Sequence, residues 1–79
     1  MSVESNSLSS ISVGKQVRIK SFSDDLIELK MLEMGVVPGE LAVVERIAPA
    51  GDPLVIRVSD SLIGIRKAEA SQIWVQQEN

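Results

Sequence analysis

The run Lys15-Gln16-Val17-Arg18-Ile19-Lys20-Ser21-Phe22, followed directly by Ser23-Asp24-Asp25-Leu26-Ile27-Glu28-Leu29-Lys30-Met31-Leu32-Glu33-Met34-Gly35, changes its hydrophobic period once. In the first half Val17 and Ile19 alternate with Arg18 and Lys20, the pattern of a half-buried strand. In the second half the apolar spacing becomes helical. Ser23, Asp24 and Asp25 offer capping oxygens and negative charge at a helix start. The helix is expected to run to about Met34, with Gly35 as the residue after its C-cap, where a positive φ is wanted. Val36-Val37-Pro38-Gly39 then places Pro and Gly in the order a type II turn prefers. At about 100° per residue, Ile27, Met31 and Met34 fall within about 60° of one another, while Leu29 and Leu32 lie on the far side. That apolar surface is too wide for one flank of a small domain, so part of it is expected to stay exposed.

Outward from this unit the chain reads as strands and turns. Upstream, Leu8 and Ile11 are spaced as in one helical turn, and Val13-Gly14 turns into the first strand. Downstream, Glu40–Ala48 is rich in Val, Leu and Ile. Ala48-Pro49-Ala50-Gly51-Asp52-Pro53 forms a hairpin connection in which Gly51 takes positive φ, Asp52 bonds back to nearby amides and Pro53 opens the next strand. Leu54, Ile56 and Val58 point inward, Ser59-Asp60-Ser61 turns, and Ile63 and Ile65 point inward again. Lys67–Ser71 suits a short helical turn before a brief last strand, Ile73-Trp74-Val75. The expected fold is mainly β: a small barrel of about five strands with one α-helix inserted after the first strand, resembling the SH3-like class. Residues 8–76 are expected to form the domain, with loose tails at 1–7 and 77–79.

Composition narrows the function. The chain has 79 residues, of which 44% are hydrophobic, with no Cys, no His and no Tyr, one Trp and one Phe. One small domain of this length buries only about 60% of the surface its unfolded chain exposes, and no disulfide staples it. Without His there is no base to activate Ser or Thr, so no catalytic residue is assigned. Ser12-x-x-Lys15 lacks the companion motifs of serine acyl-transfer enzymes and straddles a turn. Gly14-Lys15 lacks the Ser/Thr and the earlier Gly of a phosphate-binding loop. Asp24, Asp25 and Glu28 lie close in sequence, but acidic residues at a helix start complement its dipole, and no metal ligand or cofactor is assigned. Eight basic against eleven acidic residues give a net charge of −3. That argues against nucleic-acid binding and against a polybasic membrane anchor. The shortage of aromatics removes the stacking platforms of single-strand binders and the groove of polyproline readers. The Ser-rich start lacks a basic and then apolar leader, and apolar runs are far shorter than the ~20 residues that cross a bilayer. A cytoplasmic protein that does not insert into the membrane is expected.

At this point the residues resemble a family. Met31-Leu32-Glu33-Met34-Gly35-Val36-Val37-Pro38-Gly39 is similar to the L-L-E-x-G-[LV]-x-P-G signature of ferrous iron transport protein A. Ala48–Pro53 resembles that family's A-P-x-G-D-P hairpin, with Ala50 where Leu is frequent. Leu8…Ile11…Gly14 resembles its opening segment, and Ile65-Arg66-Lys67…Glu69-Ala70…Ile73-Trp74-Val75 its closing turn and strand. The resemblance implies an SH3-like fold and a non-enzymatic, cytosolic accessory protein of a bacterial ferrous iron uptake system. Its implied partner is the membrane ferrous iron transporter that carries a cytosolic GTP-binding domain. The absence of imidazole and thiolate leaves no durable Fe²⁺ ligand set, so action by protein contact rather than by iron binding is expected. The expected contact runs through the helix, with Ile27 and Met31 as apolar anchors and Lys30 on the rim, and secondarily through Pro49, Gly51 and Asp52 of the hairpin. Exposed strand edges and the helix patch also suit a homo-oligomer. The alternative from another class is a small nucleic-acid-associated β-barrel.

Overall fold

The computed structural model describes residues 6–78. Alternation in the sequence is realised as six strands: β1 (Asn6–Ser7), β2 (Gln16–Phe22), β3 (Leu41–Ile47), β4 (Leu54–Val58), β5 (Ser61–Ile65) and β6 (Ile73–Glu78). Helix α1 (Asp25–Glu33) follows β2, and the four-residue α2 (Lys67–Ala70) joins β5 to β6. All neighbours are antiparallel, in the order β1-β6-β2-β3-β4-β5. The β2–β6 register shifts between Ile19 and Ser21, and the β3–β4 register between Val44 and Arg46. Such irregularities add twist and bend, which lets one sheet curl around its own core. Among the described residues the curl is not closed by pairing between β1 and β5.

The inward positions are those that alternation predicts. Val17 and Ile19 of β2, Val44 of β3, Ile56 of β4, Ile65 of β5 and Val75 of β6 are all fully buried. Leu8 and Ile11, from the 3₁₀ turn at Leu8–Ser10 and its C-cap, join the core. The apolar side of α1 joins through Ile27 and Met31, and Val36 follows. No charged or polar side chain is buried among the described residues, so the core is built from apolar side chains.

Helix α1 is fixed at both ends. Asp24 is its N-cap, and its Oδ1 accepts from the Ile27 amide at 2.9 Å. At the other end the Val36 amide donates to the Met31 carbonyl (2.8 Å) and the Gly35 amide to the Leu32 carbonyl (3.1 Å). With Gly35 at φ +91°, these two bonds make a complete Schellman motif, which pairs apolar residues at Met31 and Val36. The chain then turns through Val37-Pro38-Gly39-Glu40, with Gly39 at φ +94° and a Glu40 amide to Val37 carbonyl bond of 3.2 Å. That turn is tied back to β2. The Gly39 amide donates to the Ile19 carbonyl at 2.8 Å, and Arg18 Nη1 donates to the Gly39 carbonyl at 2.8 Å. The insertion is therefore a closed excursion from β2, not a free loop.

Two boundaries differ from the sequence reading. Asn6 and Ser7, expected in a tail, pair with Val75 and Trp74 and make a sixth strand. Gln77 and Glu78, also expected in a tail, pair with Val17 and Gln16 in the last strand. Both segments are polar, so pairing with a distant strand, not local periodicity, defines them. Residues 1–5 of the expected tail, and Asn79, lie outside the described residues.

The orientation of α1 is testable by substitution. Met31→Ala empties a fully buried site and should cost about 2–5 kcal/mol, a large share of what so small a domain holds. Leu29→Ala, on the outer side, should change stability by no more than about 0.5 kcal/mol. Urea titrations followed by circular dichroism measure both.

Candidate functional site

Helix α1 presents two different surfaces. Ile27 (7% exposed) and Met31 (0%) face the core, so their side chains are not on the surface, where the sequence reading expected contact anchors. The Schellman pairing decides this: a Gly after the C-cap puts Met31 and Val36 together, and both belong inside. The outward residues are Leu26 (81% exposed), Leu29 (56%) and Leu32 (40%). Leu29 and Leu32 lie opposite Ile27 and Met31 on the helical wheel, as the spacing requires. Which side met the sheet was not readable from that spacing, and Leu26 was missed. The pattern Gly35-Val36 behind Met31 was the signal that could have found all three.

Lys30 is exposed, as expected of a rim residue, but it is not free. Its Nζ donates to Glu69 Oε2 of α2. Glu69 Oε1 also accepts from the Arg66 amide at 3.2 Å, half of a capping box at the start of α2. The Lys30 hydrogen bond, helped by the Arg66 amide and the two positive charges, holds the Glu69 carboxyl below its ordinary range against a smaller opposing effect of burial. Half-exposed Lys30 limits the worth of this pair to about 1 kcal/mol or less.

The hairpin residues meet the same short helix from its other side. Pro49 is exposed at the tip. Gly51 has φ +85°, and its amide closes the turn on the Ala48 carbonyl at 2.7 Å. Asp52 does not bond back to its neighbours. Its Oδ1 instead accepts from the Lys67 amide at 3.0 Å, and its Oδ2 lies 3.4 Å from Arg66 Nη2. A carboxylate fifteen residues away in the chain thus serves the first amide of α2. Lys30 and Asp52, read as parts of separate contact patches, both secure α2. Glu69 and Lys67 are two residues apart, so α2 links α1 to the hairpin.

Beside Leu26 lies a shallow cleft of about 250 Å³ lined by Asp24, Leu26, Ile27, Lys30 and Gln72. Trp74, 37% exposed, donates from Nε1 to Ser23 Oγ at 3.1 Å at the foot of the helix. Phe22 is packed against the core. Among the described residues, no group of three or more His, Cys, Asp or Glu side chains is placed to hold a metal ion. Also among them, no helix is long and apolar enough to cross a membrane.

A curled antiparallel sheet with its helix inserted after β2 is an SH3-like domain. The NMR structure of a FeoA-like protein from Clostridium acetobutylicum superposes with a TM-score of 0.89 at 26% identity, covering 100% of this chain and 92% of that one. The solution structure of iron(II) transport protein A from Clostridium thermocellum is 36% identical, with a TM-score of 0.83, over 90% of this chain and 44% of that one. Stenotrophomonas maltophilia FeoA complexed with zinc, described as a prokaryotic SH3 domain protein, is 28% identical at a TM-score of 0.76, over 91% and 94% of the two chains. No match is found among curated protein sequences. The FeoA domain family matches residues 6–77, and the chain belongs to that family, which is associated with ferrous iron transport.

Because the Glu69 carboxyl is held below its ordinary value, the α1–α2 link is complete above the ordinary carboxylate range and fades as pH falls through the lowered value. A ¹³C titration of the Glu69 carboxyl should show a midpoint below that of exposed glutamates. In Lys30→Met that midpoint should move upward.

Proposed function

We propose that this protein is a cytosolic, non-enzymatic accessory component of a bacterial ferrous iron uptake system. It acts by contact with the membrane transporter that carries a cytosolic GTP-binding domain. The observation that carries this reading is the row Leu26, Leu29 and Leu32, exposed on a helix whose opposite side is locked into the core. An exposed apolar surface on a rigid, capped element favours a protein partner. Membership of the FeoA domain family supplies the iron-uptake context.

The donor set favours contact over iron binding. The chain has no His and no Cys, and several carboxylates are already engaged: Asp24 by the Ile27 amide, Glu45 by Arg57, Asp52 by Lys67 and Arg66, Glu69 by Lys30, and Glu78 by Arg18. A nucleic-acid role has less support. Arg18, Lys30, Arg57 and Arg66 are held in ion pairs, while Phe22 packs against the core and the half-exposed Trp74 donates to Ser23.

Tagged protein should retain the transporter from detergent-solubilised membranes, and Leu29→Gln should reduce retention about tenfold while leaving the fold intact. Failure of the wild type to retain it defeats this reading. In anaerobic equilibrium dialysis, no stoichiometric Fe²⁺ should bind at micromolar concentration.

A further inference from the structure

The outer surface of α1 interleaves leucines with carboxylates. At about 100° per residue, Leu26, Leu29 and Leu32 span about 120° of the helix, and Asp25 and Glu33 project between them. Asp25 and Glu33 are exposed, and half-buried Glu28 lies at the edge. Charge here is one-sided. The segment 24–33 holds four acidic residues (Asp24, Asp25, Glu28 and Glu33) and one basic residue, Lys30, for a net of −3. That equals the net charge of the whole chain, because the remainder has seven acidic and seven basic residues. The ammonium of Lys30 is moreover drawn to Glu69.

We infer that this surface docks a cationic amphipathic helix of the partner, whose apolar side chains cover the leucines while its Lys or Arg residues meet Asp25, Glu28 and Glu33. The inference rests on the partner reading above and specifies the chemistry that the partner must offer. Electrostatics select this occupant. A second copy packed α1 against α1 would set carboxylates against carboxylates, and like-charge juxtaposition costs several kcal/mol. The anionic surface of a bilayer is repelled for the same reason. A wholly apolar segment would strip water from Asp25 and Glu33 without replacing it. A helix with an apolar stripe edged by cations satisfies both the leucines and the carboxylates. Leu26 to Leu32 extends about 9 Å along the axis, which matches two turns of an opposing helix. The cleft beside Leu26 gives one partner side chain a socket with the Asp24 carboxylate at its wall.

The test uses a synthetic amphipathic leucine–lysine helix of about eighteen residues, titrated into ¹⁵N-labelled protein. Controls are its leucine–glutamate counterpart and a scrambled leucine–lysine peptide without an apolar face. The amphipathic cationic peptide should perturb amides of residues 25–33 and bind at least about tenfold more tightly than either control. Binding should weaken several-fold between about 50 and 300 mM salt. Leu29→Gln and Glu33→Lys should each weaken it about tenfold, with the spectrum otherwise unchanged. Equal binding of the scrambled peptide, perturbations centred away from α1, or undiminished binding by both variants overturns the inference. Binding of the peptide at α1 by a protein that does not retain the transporter supports the docking surface and removes the transporter reading. Retention of the transporter at wild-type level by both variants overturns the surface and leaves the transporter reading standing.

Discussion

Burying Met31 decides which way α1 faces, and the outer surface of the protein follows from it. The side chain is completely enclosed, while its carbonyl accepts the Val36 amide that ends the helix. One residue thus fixes both the rotation of α1 and the point at which the chain leaves it. Gly35 makes this geometry accessible with its positive φ. With Ile27 and Met31 inside, Leu26, Leu29 and Leu32 have nowhere to go but solvent. Three of the seven large apolar side chains exposed among the described residues therefore lie in one row on one element.

Polar contacts then tie that element to its neighbours. Arg18 and the Gly39 turn tie the far end of the insertion to β2. Lys30 ties its middle to α2 through Glu69, and Asp52 ties α2 to the β3–β4 hairpin. These contacts are exposed or half-buried and individually weak. Their consequence is positional: α1, α2 and the hairpin share one side of the domain and are linked through a helix of four residues. A surface held in this way loses little conformational freedom when a partner binds, and that is where exposed leucines are most effective.

The sequence made the strand–helix–turn unit legible because each boundary has a local chemical cause. Asp24 caps, Gly35 takes the left-handed conformation and Pro38-Gly39 turns, and all three do so in the structure. Alternation likewise placed Val17, Ile19, Leu54, Ile56, Ile63 and Ile65 inward. What was not legible depends on contacts across long sequence separation. β1 exists only because β6 lies beside it. Lys30 and Glu69 are 39 residues apart, and nothing local marks Asp52 as a partner of the Lys67 amide. The helical wheel showed two apolar flanks on α1 but not which one met the sheet, so the contact anchors were assigned to the buried flank. The same wheel carried the exposed row once Met31 was fixed by its pairing with Val36.

The central claim is that function is carried by the outer face of α1. Methyl-labelled protein mixed with the proposed partner, the transporter, in detergent tests it directly. Methyl resonances of Leu26, Leu29 and Leu32 should shift or broaden on addition of the transporter, while the buried methyls of Met31, Ile56 and Ile65 stay in place. Unchanged α1 leucines, with perturbations confined to Leu62 of β5 or to the Pro49–Pro53 hairpin, would contradict the account.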